Sequence, residues 1–338
     1  MPPATPPPAT PTPVSASLER RFTWRRFAER LIHVALFLCA FLCIVTTIGI
    51  TYVLLAETVL PNVGAAPPEE KYGYSERSFF QEVSAREFFT GTRWAPQFLD
   101  KAFGVLPLVA GTLLVAAIAA LIGLPLGIFS AVYLSEYADR RTRSFIKPVL
   151  ELLAGVPTVV YGYFALVIIT PWVIQPICRM LGLDVDSYNA LSGGIVVGIM
   201  VMPMVCSLSE DALQAVPRSL REAGYALGST KYDISARVVL PAAFSGIVAS
   251  FLLAMARAVG ETMAVAIACG NTPQLTANPL HSIQTMTSYI VAISTGDAPA
   301  GTIEYKSLYA VGLCLFLMTL TMNVISDWVM RRYREVYH

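Results

Sequence analysis

The sequence predicts an all-α, polytopic membrane protein with six transmembrane helices, and three observations predict it. Apolar residues make up 55% of the 338-residue chain and charged residues only 14%, with a mean hydropathy of +0.59, whereas soluble domains carry about a quarter charged residues. Apolar runs recur at 31–55, 105–135, 149–175, 191–209, 242–269 and 307–328, each near the roughly 20 residues that a helix needs to cross a bilayer core about 30 Å thick. The hydrophilic segments between them also differ in their content of Lys and Arg. The N-terminal segment (Arg20, Arg21, Arg25, Arg26, Arg30), the second loop (Arg140, Arg141, Arg143, Lys147), the fourth (Arg218, Arg221, Lys231, Arg237) and the C-terminus (Arg331, Arg332, Arg334) hold sixteen. The alternate segments hold seven: Lys71, Arg77, Arg86, Arg93 and Lys101, then Arg179, then Lys306. That asymmetry predicts both termini in the cytoplasm.

Residues 1–30 join a Pro, Ala and Thr tail, MPPATPPPATPTPVSAS, to the first basic cluster. The tail is too poor in apolar bulk to offset its ordering entropy and is expected to be disordered. The first helix follows at 31–60, too long for a signal-peptide core and without a convincing cleavage site. Segment 61–104 is expected outside, and the spacing of Phe79, Phe80, Val83 and Phe88 predicts a helix along the outer interface. Either it caps the bundle or it receives an extracytoplasmic partner. Residues 105–331 form a core of five spans around a cytoplasmic loop at 217–241, and 332–338 return to the cytoplasm. In the third span Gly155 and Pro157 interrupt an apolar run, a candidate gate or a fixed packing kink. Glu151 before them reads as a solvated helix-end carboxylate. Gly194 and Gly198 in the fourth span form a GxxxG suited to close helix packing.

Several chemistries are excluded. A net charge of +1 gives no field to attract nucleic acid. Cys39, Cys43, Cys178, Cys206, Cys269 and Cys314 lie in or beside apolar runs with no metal or disulfide spacing, and read as buried thiols. None of Lys71, Lys101, Lys147, Lys231 or Lys306 follows a Gly, so there is no GxxxxGK[ST] phosphate loop. HExxH and GxSxG are also absent, and His33, His281 and His338 are too scattered to suggest a site. The chain is therefore expected to make no bonds itself and to hold neither metal nor cofactor.

Two motifs carry function. Between spans four and five stands EAGYALGSTKYDISARVVLP, residues 222–241. Pro217 can open a short helix there and Gly228 can end it, while small residues such as Ala223 and Gly224 admit another surface closely. Within span five, ARAVGETMAV sets Arg257 and Glu261 four apart, hence on one helical face. An intramembrane Arg costs about 2.5–3.5 kcal/mol on insertion scales and faces the bundle interior or a wet cavity. Its guanidinium suits an oxyanion, with Glu261 expected to hold it between passages; the alternative is a structural ion pair. A straight helix from Pro241 would put Arg257 about 24 Å along, past the midplane.

The loop resembles the EAA motif of permeases in ATP-binding-cassette importers, EAA-x3-G-x9-I-x-L-P, with Gly224 for the last Ala and Val238 for Ile. With FFTGTRWAP (88–96), LPLGIFSAVYLSEY (124–137), ELLAGVPTVVYG (151–162), RAVGETMAV (257–265) and GNTPQL (270–275), the chain resembles the PstC family, permease subunits of bacterial phosphate importers. The resemblance covers most of 88–275. It implies a type I importer permease fold, and a heterodimer with a homologous second permease. It also implies two ATP-binding subunits, which use the ATP and magnesium, and an extracytoplasmic phosphate-binding protein. Glu222, Ala223, Gly224, Gly228, Leu240 and Pro241 would then couple to the ATPase, and Arg257 and Glu261 would line the phosphate path. Importers of other oxyanions, such as sulfate or molybdate, share the loop. An ion-gradient-driven transporter, with Arg257 and Glu261 as relay, or a membrane-embedded enzyme are the rivals from other classes.

Overall fold

The computed structural model describes residues 24–59, 78–296 and 298–333. The Pro-rich tail, Arg20, Arg21, Lys71, Arg77 and the last residues of the C-terminus lie outside them. Helix α1 (Trp24–Thr58) is apolar and long enough to cross a membrane. Most of it belongs to a unit ending at Val53, and a second unit runs from Leu54 onward.

The long apolar helices of the second unit are α4 (Leu106–Val132), α8 (Ala190–Ala215) and α15 (Ile303–Tyr333). A further span runs through α6 (Thr158–Phe164), a π-helical stretch (Ala165–Ile174) and α7 (Gln175–Met180). With α1, five helices among the described residues are long enough to cross, or six if one bent pair is a single span. Two of the expected spans are corrected. The third begins at Thr158, not 149, because Arg140–Ala154 form a separate amphipathic helix, α5. Gly155 closes α5, and Pro157, which disfavours helix in the residue before it, sits at the N-cap of α6. The Tyr161 hydroxyl donates to the Leu153 carbonyl at 2.7 Å across that break.

The fifth span is the bent pair. A π-helical turn (Ser235–Val239) and the short α11 (Leu240–Ala242), which contains Pro241, lead to a 67° bend before α12 (Phe244–Val259). Pro241 has no N–H for the helical ladder, which favours a bend here. Helix α12 itself stops at Gly260, and α13 (Met263–Cys269) is separate. The segment after it, between the last two expected spans, contains α14 (Met286–Thr295), with Met286, Thr287, Ser288 and Tyr289 buried.

Glycines let α4 and α8 approach closely. A Cβ at Gly194 would meet the Ile118 side chain at 2.5 Å, one at Gly123 the Gly198 carbonyl at 2.6 Å, and one at Gly127 the Val205 side chain at 2.7 Å. The GxxxG of α8 is thus a packing face, matched by Gly123 and Gly127 on α4. The expected interfacial helix is instead two short helices, α2 (Phe79–Glu82) and α3 (Ala85–Thr90), followed by a hairpin of β1 (Trp94–Ala95) and β2 (Ala102–Phe103). Phe79, Val83 and Phe88 point inward rather than along an interface. Phe79 packs edge-on against Phe88 and Phe103, and Trp94 against Tyr289, so this element caps the bundle over α14 and α15. Cys178, Cys206 and Cys269 are buried as expected, but Cys39 and Cys43 are exposed on α1.

Gly123→Val puts branched carbon where only 2.6 Å is free. Overpacking of this kind costs about 1–3 kcal/mol, so the thermal midpoint of the purified protein should fall; an unchanged midpoint contradicts the close approach.

Candidate functional site

Pro217 is the N-cap of a short amphipathic helix, α9 (Arg218–Ala226), and Gly228, at φ +78°, reverses the chain after it. That left-handed conformation is why glycine is needed here, since a Cβ would meet nothing within 4 Å. Thr230 then caps α10 (Lys231–Ile234), its hydroxyl accepting from the Asp233 N–H at 3.2 Å. Gly224 departs from expectation: a Cβ there would meet Ile234 at 2.9 Å, so its small size serves packing of α9 on α10. Glu222, Ala223, Gly228 and Pro241 are exposed, whereas Leu240 is half-buried in the core beneath. Sequence reading missed the apolar part of this surface, where Tyr225, Leu227 and Tyr232 are 52%, 86% and 70% exposed.

Charged groups fasten this surface to the bundle. Arg221 donates to the Leu213 and Val216 carbonyls at the end of α8, at 2.8 and 2.7 Å, and to Glu136 at 2.9 Å. Glu136 lies in the π-helical turn (Tyr133–Tyr137) that continues α4. One side chain thus ties α9 to two spans. Three residues before Leu213, Glu210 is 1% exposed yet meets Arg143 at 2.7 Å, Lys147 at 3.2 Å and Gln214 at 2.8 Å. Lys147 also approaches Asp211 at 3.5 Å. Burial alone would lower the Lys147 ammonium, but its hydrogen bond to Glu210 and the charges of Glu210 and Asp211 outweigh this and raise it above the ordinary lysine value. These pairs dock α5 on α8. No local pattern signals them, because their partners lie more than sixty residues apart in the chain.

Arg257 stands in the last turn of α12, about 20 Å along it counted from Phe244 at 1.5 Å per residue. The 67° bend invalidates the straight count from Pro241. Its side chain borders a cavity of about 400 Å³ between α5, α8 and α12, lined also by Lys147, Glu151, Met200, Pro203 and Leu253. Glu261 does not share its helical face, since α12 ends at Val259. The Glu261 carboxylate instead accepts from the Ala264 N–H at 3.3 Å, at the start of α13, and its carbonyl accepts from Thr287 at 2.8 Å. No ion pair joins Arg257 to Glu261 among the described residues. Two carboxylates line the Arg257 cavity: Glu210, which is buried, and Glu151, which is exposed as expected of a solvated helix-end group. Gly155 and Pro157 form the break just after α5, whose Glu151 and Ala154 also line the cavity.

A bundle of broken and unbroken spans, with an exposed helix strapped beneath it, defines a type I importer permease. The family model described as "Binding-protein-dependent transport system inner membrane component" matches residues 123–335, and the chain belongs to that family. It is a multi-pass inner-membrane protein. The chain is 36% identical over 250 residues to a "Probable ABC transporter permease protein YqgH" of Bacillus subtilis, covering 74% of this chain and 79% of the relative. It is 33% identical over 259 residues to a "Phosphate transport system permease protein PstC" of Mesorhizobium japonicum, covering 72% and 78%. To the protein named PstC 1 of Mycobacterium tuberculosis it is 34% identical over 282 residues, covering 74% and 83%. Within the family it therefore belongs with the PstC permeases. The fold also matches a chain in the crystal structure of a bacterial ABC transporter involved in alginate import, with TM-score 0.58 and 14% identity, covering 92% of this chain and 99% of that one.

Replacing Arg221 with Gln leaves Glu136 and the two α8 carbonyls short of a charged donor, and bonds of that kind contribute about 1.5–3 kcal/mol each. Amide hydrogen exchange should accelerate across 218–226 while the middle of α8 keeps its protection. Unchanged exchange in α9 would contradict the strap.

Proposed function

We propose that this chain is one of two permease subunits of an ATP-driven importer for inorganic phosphate, and that it forms half of the translocation path. The observation that carries this reading is Arg257, a guanidinium exposed on α12 beside a cavity, without an ion pair or hydrogen bond among the described residues. An unpaired intramembrane cation calls for an anion, and a guanidinium can hold two oxygens of one phosphate through parallel hydrogen bonds. The names of the PstC relatives support phosphate as that anion. Glu261 contributes at the junction of α12, α13 and α14, where it fixes the broken helix next to Arg257.

The motor is borrowed. Glu222, Ala223, Gly224, Gly228, Leu240 and Pro241 belong to the surface that meets an ATP-binding subunit, with Tyr225, Leu227 and Tyr232 as its apolar anchors. Gly224 and Leu240 act from beneath, by packing. The partners are a PstA-like second permease, two PstB-like ATP-binding subunits that consume ATP and magnesium, and a PstS-like phosphate-binding protein outside. The chain itself binds no cofactor and no nucleic acid, and lipid surrounds its spans. The Lys and Arg asymmetry supports both termini facing the cytoplasm. Closure of the ATPase pair moves α9, and through Arg221 it moves α4 and α8. The break at Gly155 and Pro157 lets α5 shift without α6, so it serves as a gate.

In proteoliposomes containing the complete importer, Arg257→Gln should lower ATP-dependent phosphate uptake about tenfold or more, the loss expected when one charged contact worth ~1.4 kcal/mol is removed. Uptake equal to the unaltered protein would remove Arg257 from the path, and preferred uptake of sulfate or molybdate would reassign the substrate. Gly228→Asp forces a side chain into the left-handed turn at φ +78° and places charge on the docking surface. ATPase subunits should then co-purify poorly or hydrolyse ATP without transport; normal association with normal transport contradicts the docking role.

A further inference from the structure

Besides buried Glu210, the cavity beside Arg257 has a second cation, Lys147, and an exposed carboxylate, Glu151, that the transport reading has not used. Lys147 reaches it from α5, one turn before Glu151 on the same helix, while Arg257 reaches it from α12. Its roughly 400 Å³ has room for about a dozen waters at near 30 Å³ each, so a hydrated tetrahedral oxyanion fits. We propose that this cavity is an inner stop for phosphate, where Lys147 and Arg257 together bind the anion and Glu151 displaces it by competing for Arg257. The proposal rests on the reading of Arg257 as part of the path.

Three features support it. Lys147 is spare: if it swings to an anion, buried Glu210 keeps Arg143 at 2.7 Å and Gln214 at 2.8 Å, so no buried charge is orphaned. Its other partner, Asp211, is 61% exposed and can be satisfied by water. Glu151, by contrast, is exposed to water and has no side-chain hydrogen bond or ion pair among the described residues, although Lys147 and Arg257 line the same cavity. A carboxylate left free beside cations makes the site weaker, and an anion that must leave needs a stop of moderate affinity. Finally, α5 is disconnected from α6 at Gly155–Pro157, so it can carry Lys147 and Glu151 toward or away from α12 as one piece.

The test is equilibrium binding of radiolabelled inorganic phosphate to the purified four-subunit importer without nucleotide or binding protein, alongside uptake by the same preparations. Lys147→Gln should weaken phosphate binding about tenfold and slow uptake, and Lys147→Arg should restore most of both. Glu151→Gln should tighten phosphate binding while slowing uptake, because release is impaired. Loss of a merely structural contact cannot move the two variants in opposite directions. If Arg257→Gln abolishes uptake but Lys147→Gln and Glu151→Gln bind and transport as the unaltered protein does, the inner stop is overturned and the path reading stands. If Arg257→Gln also transports normally, both fall. If Lys147→Gln fails to assemble, Glu151→Gln alone decides: unchanged or weaker phosphate binding overturns the proposal.

Discussion

A carboxylate that is 1% exposed is costly to bury without partners, and α5 and α8 are arranged to supply them to Glu210. Arg143 and Lys147 come from α5, and Gln214 from one turn further along α8. Beside it, Arg221 closes the end of α8 and joins it to α9 and to the turn that continues α4. The close glycine packing of α4 on α8 makes those two helices one body, and the charges attach α5 and α9 to it. A force applied to α9 therefore meets a connected structure. Lys147 and Glu210 also border the cavity of Arg257, so the charges that dock α5 on α8 form part of its wall.

Where helices break is the second organising feature. The interruptions at 155–157, at Ala243 and at 260–262 expose backbone groups that a continuous helix would have satisfied. In a membrane such breaks persist only inside protein or beside water. Here Tyr161 serves the first, and Glu261 and Thr287 serve the last. The first and last of these breaks follow the helices that carry Glu151 and Arg257. Polar groups and interrupted backbone thus follow both helices that line the Arg257 cavity with charge, α5 and α12.

Much of this was legible in the sequence because each bilayer crossing needs about 20 apolar residues. The loop helix was legible too, since Pro217 and Gly228 mark its ends by backbone chemistry alone. Breaks were read poorly. Hydropathy is blind to direction, so α5 merged with the third span and α12 with α13, and the spacing of Arg257 and Glu261 then suggested a shared face that Gly260 abolishes. Long-range pairs were invisible: nothing near Glu151 indicates that its helix faces α12, and Glu136 and Arg221 are 85 residues apart. Gly224 shows a subtler limit, because a motif of small residues does not say whether the close neighbour is a partner or the chain itself.

The claim that α9 and the bundle move as one body is tested most directly by a distance. Spin labels at exposed Ser219 on α9 and Leu121 on α4, in the assembled importer, should give one narrow distance distribution that is the same with and without ATP. A shift of α9 relative to α4 on adding ATP would contradict it, because the loop helix would then be sliding beneath the spans instead of carrying them.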